Sequence, residues 1–323
     1  MLVSQPITVG VVGAGVIGAG WVARMALAGH HVRWFDPNPG AQPFLDRISQ
    51  NAVHSWQGMD WPMSPESPVR ADTLAAAVGD AELIIESVPE RLVIKQATYA
   101  QIESAAPPSA IIASSTSGFK PSVLADGLIN PERLIVAHPF NPVYLIPLVE
   151  IVPGIHTSDA VRDRSVELYT EVGMKPLVVR KEIDAFIADR LLEAVWREAL
   201  WLVNDGIATT EEIDDAIRYG FGLRWAQMGL FETYRIAGGD GGMGAFIAQF
   251  GETLAWPWTK LMDTPELTDQ LIDTIAAQSD AQSGHLSIAE LERHRDDNVV
   301  AILNALATTR WGAGEVVRRN RVS

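Results

Sequence analysis

The fold is decided by the stretch Ile7-Thr8-Val9-Gly10-Val11-Val12-Gly13-Ala14-Gly15-Val16-Ile17-Gly18. Its first half is a β-branched run that is typical of a buried parallel strand. Its second half carries three glycines in the spacing GxGxxG, and a helical pattern follows at Trp21 to Ala28. A second strand pattern, residues 31–36, comes after Gly29. The order strand, glycine turn, helix, strand indicates the first unit of a doubly wound sheet.

The glycine turn has the spacing of a dinucleotide-binding site. Gly13 makes the turn, Gly15 lets the backbone approach the pyrophosphate, and Gly18 lets the helix pack closely on the strand. Asp36 ends the second strand, where a carboxylate accepts hydrogen bonds from the adenosine ribose and repels a 2′-phosphate. We therefore expect NAD as the cofactor, bound by Gly13, Ala14, Gly15, Val16, Ile17, Gly18 and Asp36.

Strand and helix patterns alternate over the first half of the chain and give way to helices alone. Further strand patterns lie at 83–85, 111–113, 134–136 and 176–179, with helical patterns near 71–78, 93–105 and 120–127. Beyond Asp184 the patterns are helical only. The sequence predicts an α/β, Rossmann-type doubly wound sheet over residues 1–184 and an all-helical domain over residues 185–323.

The helical domain carries clear start and stop signals. Helices are predicted at 185–204, 243–251, 265–278 and 287–309, and a further helix begins at the capping box Thr209 to Glu212. A second capping box opens the helix 287–309, and a glycine cluster at Gly238 to Gly242 interrupts the helices. Helices that cannot form a compact bundle alone bury their apolar faces against a second copy. We therefore expect a homodimer through this domain.

The composition excludes several classes of protein. Lys and Arg number 25 against 40 Asp and Glu, so the net charge is −15, and without a basic run we expect no nucleic-acid partner. The chain has no cysteine and no HExxH spacing, so we expect no metal site. No stretch approaches the roughly 20 apolar residues of a membrane span. We expect no membrane partner and a cytoplasmic location.

A histidine and a glutamate stand where a doubly wound sheet binds its ligand. His138 ends a predicted strand, and Glu150 follows twelve residues later, after a loop rich in proline. Oxidation of a secondary alcohol needs a base for the hydroxyl proton, and a glutamate can fix the tautomer of a histidine base. Taken alone, such residues are more often a core histidine and a surface glutamate.

Together the motifs resemble the 3-hydroxyacyl-CoA dehydrogenase family. They are Gly13 to Gly18 with Asp36, Glu86-Ser87-Val88-Pro89-Glu90, Ser114-Ser115-Thr116-Ser117, His138-Pro139-Phe140-Asn141-Pro142, Glu150 and Asp184 to Arg190. The resemblance runs in consistent order from residue 7 to about residue 235. It implies His138 as the base, Glu150 as its partner and Ser117 as a donor to the substrate oxygen. It also implies that Glu90, Lys95, Ser117 and Asn141 line the cofactor and substrate cleft.

Three departures from the family argue against a coenzyme A substrate. Residues 40–70 are short, rich in proline and carry tryptophan, where thioester enzymes have a long helical arm with lysines. Asp189 stands where the family usually has asparagine. The segment Gly220 to Gly229 is longer than its thioester equivalent and carries Arg224, whose planar guanidinium suits a substrate carboxylate. Lys181 or backbone amides are alternative groups for that carboxylate.

An acidic chain with ten tryptophans suits a quaternary ammonium, which is held over aromatic faces. The candidate faces are Trp196, Trp225, Phe231 and Tyr234, with Phe140 and Tyr144 on the other wall, and Asp189 is the candidate counter-ion. Asp189, Glu193 and Trp196 share one side of a helix. The alternative is that these aromatic residues belong to the core or to a dimer interface.

The resemblance, together with these departures, implies an NAD-dependent dehydrogenase for a small zwitterionic 3-hydroxy acid of the L-carnitine type. His138 takes the hydroxyl proton, Glu150 orients its ring, and Ser117 and Asn141 position the reacting carbon. One alternative is a dehydrogenase for another free 3-hydroxy acid, such as L-gulonate. A second alternative is a non-catalytic NAD-binding protein, because the fold alone implies no chemistry.

Overall fold

The computed structural model describes most of the chain. The described residues are 3, 5–58, 61–64, 66–226, 228–259, 268–287, 290–291, 301–302, 305 and 308. The chain divides into two compact units, Met1–Leu191 and Leu192–Ser323. The boundary expected at residue 184 stays a prediction.

The first unit alternates strands and helices as the sequence predicts. Its strands are β1 (Thr8–Val12), β2 (His31–Phe35), β3 (Val69–Arg70), β4 (Leu83–Glu86), β5 (Ile111–Ser114), β6 (Leu134–Pro139), β7 (Leu148–Pro153) and β8 (Lys175–Val178). Its helices are α1 (Val16–Ala28), α2 (Ala41–Gly58), α3 (Leu74–Val78), α4 (Leu92–Ala105), α5 (Pro121–Leu124) and α6 (Asp159–Glu171).

All eight strands form one sheet, in the order β3-β2-β1-β4-β5-β6-β7-β8. Neighbouring strands are parallel except β6 and β7, which pair antiparallel. The strand order reverses between β1 and β4, so the carboxyl ends of these strands flank the crevice in which doubly wound sheets bind ligands. The predicted fold class is confirmed. The sequence patterns above include no strand at residues 148–153, and the structure places Glu150 on strand β7 there.

Strands β1, β4, β5 and β6 are buried on both faces, which is why they read as continuous apolar runs. One core cluster contains Val9 and Ile85, and the cluster on the opposite face contains Ile84 and Ile112. Three of the ten tryptophans, Trp21, Trp34 and Trp56, are almost fully buried in the first of these clusters. Part of the tryptophan excess therefore serves packing.

Helix α2 is a feature that the sequence reasoning missed, since residues 40–70 read as a proline-rich segment. Pro43 lies in the first turn of the helix, where its missing N–H leaves no intrahelical hydrogen bond unmade. Leu45, Ala52 and Trp56 are buried on the side that packs against α1. An apolar stripe thus stabilises the helix despite its polar remainder.

The described residues of the second unit form helices. They begin in the linking helix α7 (Ala188–Asn204) and continue as α8 (Thr210–Ala216), α9 (Gly222–Trp225), α10 (Gly229–Ala237), α11 (Gly242–Phe250) and α12 (Asp269–Ser283). The capping box at Thr209 and Glu212 is confirmed, and Ser287 and Glu290 form the second one. Most of the predicted helix 287–309 lies outside the described residues. No described helix is both long and apolar enough to cross a membrane.

Candidate active site

The register of one strand pair places the two main candidate residues opposite each other. In the antiparallel pair of β6 and β7, His138 is the partner of Glu150. Side chains at opposite positions of adjacent strands point to the same face and lie close together. His138 is nearly buried and Glu150 is fully buried, at the end of β6 that faces the crevice.

Glu150 fixes the tautomer of His138. Oε2 of Glu150 lies 2.9 Å from Nδ1 of His138. An ionised carboxylate only accepts hydrogen bonds, so Nδ1 carries the proton and donates it. Nε2 then presents its lone pair, which is the state a proton acceptor needs.

The second oxygen of Glu150 ties the site to the start of α7. Oε1 accepts hydrogen bonds from the backbone N–H groups of Ile187, at 2.9 Å, and Ala188, at 3.0 Å. Burial raises the pKa of Glu150, but the hydrogen bonds from His138 and from the two amides outweigh it and leave the pKa below its ordinary value. Glu150 is therefore ionised at neutral pH, and it holds the helix that carries Asp189.

Asp189 lies on the other side of the imidazole. Its Oδ2 is 3.7 Å from Nε2 of His138, which exceeds hydrogen-bonding distance, and its side chain is partly exposed. The imidazole therefore has the carboxylate of Glu150 at one nitrogen and the carboxylate of Asp189 near the other. This negative charge stands beside the atom expected to accept the substrate proton.

Two aromatic rings hold the imidazole in place. Phe140 lies edge-on to it at 4.9 Å, and the fully buried Phe186 lies at 5.5 Å, both measured between ring centroids. Phe186 and its neighbour Ala185 have φ angles of 49° and 58°. Such angles cost non-glycine residues about 1–3 kcal/mol each and persist where the surroundings enforce them. Here the strained pair places Phe186 against His138.

A cleft of about 290 Å³ opens at the carboxyl ends of the central strands. It is lined by Ile17, Ser87, Val88, Glu90, Lys95, Ser115, Ser117, His138 and Pro139. The structure thus brings together five predicted residues: Ile17, Glu90, Lys95, Ser117 and His138. The predicted Asn141 is exposed on the loop that follows β6, and it is not among the residues that line this cleft.

Behind the cleft lies a buried charge cluster centred on Glu86, a residue for which the sequence predicts no separate role. Its Oε1 accepts from Nζ of Lys95 and from the backbone N–H of Val88, both at 2.8 Å. Its Oε2 accepts from the hydroxyls of Tyr99, at 2.5 Å, and Ser114, at 2.7 Å. Glu86 therefore compensates the buried charge of Lys95. The signal in the sequence was a glutamate ending an otherwise apolar strand.

Glu90, at the edge of the cleft, completes the cluster. Its Oε2 lies 3.2 Å from Nζ of Lys95, and its Oε1 accepts from the hydroxyl of Thr116. Lys95 is therefore bridged between a fully buried carboxylate and a half-exposed one. These contacts fix the ammonium group at the wall of the cleft.

The glycine turn has the geometry that a bound pyrophosphate needs. Gly13 has a φ of 92°, and a Cβ added at Gly18 would lie 1.9 Å from the carbonyl oxygen of Gly13, so both positions require glycine. A Cβ added at Gly15 would have no atom within 4 Å, so the space beside this glycine at the start of α1 is open. A helix N-terminus with open backbone N–H groups binds anions. The residues present fit the phosphates of NAD.

Asp36 lies against the glycine turn. Its Oδ2 accepts from the backbone N–H of Ala14, and its Oδ1 accepts from that of Asn38, both at 2.8 Å. Both oxygens are thus held at the carboxyl end of β2, beside the start of α1. This is the position from which a carboxylate reaches the adenosine ribose.

The remaining predicted substrate residues divide between the two units. In the first unit, Phe140 contacts His138 and Tyr144 lies on the same loop. In the second unit, Trp196, Arg224, Trp225, Phe231 and Tyr234 are exposed. Trp225 packs on Phe221 at 4.5 Å and Tyr234 stacks on Phe246 at 4.7 Å, between ring centroids. Their roles toward a substrate stay predictions.

Comparisons with known proteins bear on both units. Residues 8–183 match the family model "3-hydroxyacyl-CoA dehydrogenase, NAD binding domain", and residues 186–280 match "3-hydroxyacyl-CoA dehydrogenase, C-terminal domain". A crystal structure of an NAD⁺-dependent dismutase, a 5-dehydrogenase of a pyridine carboxylic acid, is similar in fold. Its TM-score is 0.74 at 24% identity, over 95% of this chain and 98% of that one.

Two relatives are more similar in sequence. The L-carnitine dehydrogenase/betainyl-CoA thioesterase of Agrobacterium fabrum is 59% identical over 95% of this chain, and the chain spans 63% of that protein's length. The L-carnitine dehydrogenase of Mesorhizobium japonicum is 55% identical over 94% of this chain and 85% of its own length. The match with the longer relative therefore covers less than two thirds of it.

Proposed function

The chain belongs to the 3-hydroxyacyl-CoA dehydrogenase family, and we propose that it is an NAD-dependent dehydrogenase that oxidises L-carnitine to 3-dehydrocarnitine. One structural observation carries the proposal. His138 has its Nδ1 bonded to a buried carboxylate and its Nε2 beside a second carboxylate, at the wall of the cleft. The names of the two relatives support the choice of L-carnitine.

His138 acts as the general base. Its Nε2 accepts the proton of the C3 hydroxyl, and Glu150 stabilises the imidazolium that forms. When bound, NAD supplies the acceptor for the hydride from C3. Lys95 and Glu90 line the cofactor side of the same cleft, with Glu86 holding Lys95.

Ser117 and Asn141 position the substrate in this proposal. The hydroxyl of Ser117 lines the cleft with His138 and can donate to the reacting oxygen. Asn141 comes three residues after His138, at the start of the loop that leaves β6. Its amide can donate to the same oxygen when substrate is bound.

Asp189 is the counter-ion for the trimethylammonium group. In L-carnitine the quaternary nitrogen is attached to the carbon next to C3. A substrate whose hydroxyl reaches Nε2 of His138 therefore brings its cation close to the carboxylate that lies 3.7 Å from the same atom. A quaternary ammonium donates no hydrogen bond, so charge and aromatic faces must hold it. Phe140 is one such face, and Tyr144, Trp196, Trp225, Phe231 and Tyr234 are further proposed contacts.

The substrate carboxylate is assigned to Arg224, with Lys181 as the alternative. Arg224 lies on α9 and is exposed. A guanidinium binds a carboxylate through two parallel hydrogen bonds, which suits a small free acid.

We also propose that the enzyme is a homodimer in the cytoplasm. Leu192, Leu200 and Val203 recur at helical spacing on α7 and are 42% to 59% exposed. An exposed apolar face of this kind marks an interface. Sedimentation of the full chain tests the assembly: a dimeric mass supports the proposal and a monomeric mass contradicts it. The cytoplasmic location stays a prediction.

A substrate panel tests the function. L-Carnitine, D-carnitine and L-gulonate are each given with NAD, and acetoacetyl-CoA is given with NADH, while the absorbance of NADH is followed. We expect the highest kcat/KM with L-carnitine. A higher value with L-gulonate would favour the alternative 3-hydroxy acid dehydrogenase. No turnover despite tight NAD binding would favour a binding protein.

A further inference from the structure

The loop between β6 and β7, residues 140–147, carries the proposed substrate contacts Phe140, Asn141 and Tyr144. Two side chains from distant helices donate hydrogen bonds to its backbone. Arg24 of α1 binds the carbonyl oxygen of Val143, and Trp56 of α2 binds that of Tyr144, both at 2.8 Å. The loop is thus attached to the core directly behind its substrate-facing residues.

The attachment at Val143 is tightly packed. Arg24 is fully buried, and its guanidinium also donates to the carbonyl oxygens of Val172 and Gly173. Val143 is fully buried, and a Cβ added at Gly20 would lie 2.9 Å from the Cβ of Val143. Helix α1 therefore supports the loop through close contact as well as through a hydrogen bond.

The attachment at Tyr144 depends on one indole. Trp56 is almost fully buried, and its Nε1 is the donor to Tyr144. Trp61 lies edge-on to Trp56 at 5.2 Å between ring centroids, and its backbone N–H donates to the carbonyl oxygen of Trp56. The pair fixes the end of α2 beside the loop.

We propose that Trp56 is a positioning residue for substrate: its indole N–H holds the Tyr144 carbonyl and so sets the positions of Phe140 and Tyr144 relative to His138. Phe140 links the loop to the imidazole, because the two rings are in contact. Small displacements of groups that orient a substrate reduce turnover strongly. The inference rests on the proposed function, and it assigns to α2 a supporting role instead of contact with a ligand.

The test compares two matched variants of the full chain. Trp56→Phe keeps a buried aromatic ring and removes the donor to Tyr144. Trp61→Phe changes the neighbouring ring and leaves that donor in place. We expect kcat/KM for L-carnitine to fall on the order of 10- to 100-fold in Trp56→Phe only, with Kd for NAD unchanged in both. Equal kinetics in the two variants would overturn the proposal.

Hydrogen exchange gives a readout that does not depend on turnover. The backbone N–H groups of Leu145 and Ile146 donate to the carbonyl oxygen of Pro142 within the loop. We expect both amides to exchange faster in Trp56→Phe than in wild type and Trp61→Phe. Unchanged exchange in Trp56→Phe would overturn the inference about Trp56. Failure of the wild type to oxidise L-carnitine would overturn the proposed function, and the exchange measurement would still test the attachment of the loop.

A second variant covers the case in which Trp56→Phe does not fold. Gly20→Ala places a methyl group against Val143 and displaces the same loop from the side of α1. We expect the same loss of kcat/KM with Kd for NAD unchanged. Wild-type kinetics and exchange in Gly20→Ala would contradict the role assigned to the loop position.

Discussion

Nδ1 of His138 lies 2.9 Å from Oε2 of Glu150 because the two residues are register partners in the antiparallel pair β6 and β7. Both strands have a neighbouring strand on each side, and both side chains are buried. A slip of one residue in this register would turn Glu150 to the opposite face of the sheet. The geometry of the proposed base is therefore set by the fold itself.

Removal of the base should abolish most turnover without loss of cofactor binding. We expect His138→Ala to lower kcat for L-carnitine by about 10²–10⁴-fold, because the proton acceptor is gone. The glycine turn and Asp36 are untouched, so Kd for NAD, measured by calorimetry, should not change. Wild-type kcat in this variant would contradict the mechanism.

Glu150→Gln should alter both turnover and the pH dependence of stability. The single oxygen of the Gln side chain cannot accept from His138 and from the backbone N–H groups of Ile187 and Ala188 at once, so kcat should fall about 10²–10⁴-fold.

The acid dependence of stability follows from the pKa of Glu150, which lies below the ordinary value of 4.5 in the folded chain. A carboxylate with a depressed pKa stabilises the fold above its unfolded pKa, and this stabilisation is lost as pH falls through the folded value. The free energy of unfolding of wild type should therefore drop more steeply below about pH 4.5 than that of the variant. Urea titrations at several pH values measure this free energy of unfolding. The control is Glu132→Gln, because Glu132 is exposed. Parallel curves for wild type and Glu150→Gln would argue against this assignment.

Asp189→Asn should reduce selection for the cationic substrate. We expect kcat/KM for L-carnitine to fall on the order of 10-fold or more, because the counter-ion is lost. The carbon isostere of L-carnitine, with tert-butyl in place of trimethylammonium, should lose nothing. Glu193→Gln, one turn further along α7, is the control, since Glu193 is exposed and paired with Arg197. An equal loss for both substrates would remove Asp189 from the cation site.

Asp36→Asn should weaken the preference for NAD over NADP. The amide keeps one oxygen for the backbone N–H groups that Asp36 binds and removes the charge that repels a 2′-phosphate. We expect the ratio of the two Kd values to change on the order of 10-fold toward NADP. Asp46→Asn, an exposed position on α2, is the control. A ratio identical to that of wild type would show that Asp36 does not set the preference.

The features predicted correctly from the sequence are those that a local residue pattern determines. The glycine spacing, the apolar runs and the capping box at Thr209 correspond to β1, α1, the sheet and the start of α8. Strand β7 was missed because it follows β6 without an intervening helix and contains a charged residue, Glu150. Helix α2 was missed because Pro43 and its polar residues resemble a loop.

The supporting contacts of the site could not be predicted from local patterns. Arg24 and Val143 are 119 residues apart in sequence, and Trp56 and Tyr144 are 88 apart. Both donors bind backbone oxygens, which leave no trace in the identity of the acceptor residue. The contacts of Glu86 could not be predicted for the same reason, because only the fold brings Tyr99 and Ser114 within hydrogen-bonding distance of it.

In the proposed reaction the chain transfers a hydride from C3 of L-carnitine to NAD, with His138 as the base. The direct measurement is incubation of wild type and His138→Ala with NAD and L-carnitine deuterated at C3, followed by mass spectrometry of the cofactor. We expect wild type to form deuterated reduced cofactor and 3-dehydrocarnitine in equal amounts, and His138→Ala to form almost none of either. Reduced cofactor without deuterium, or no reduction by wild type, would contradict the proposed reaction.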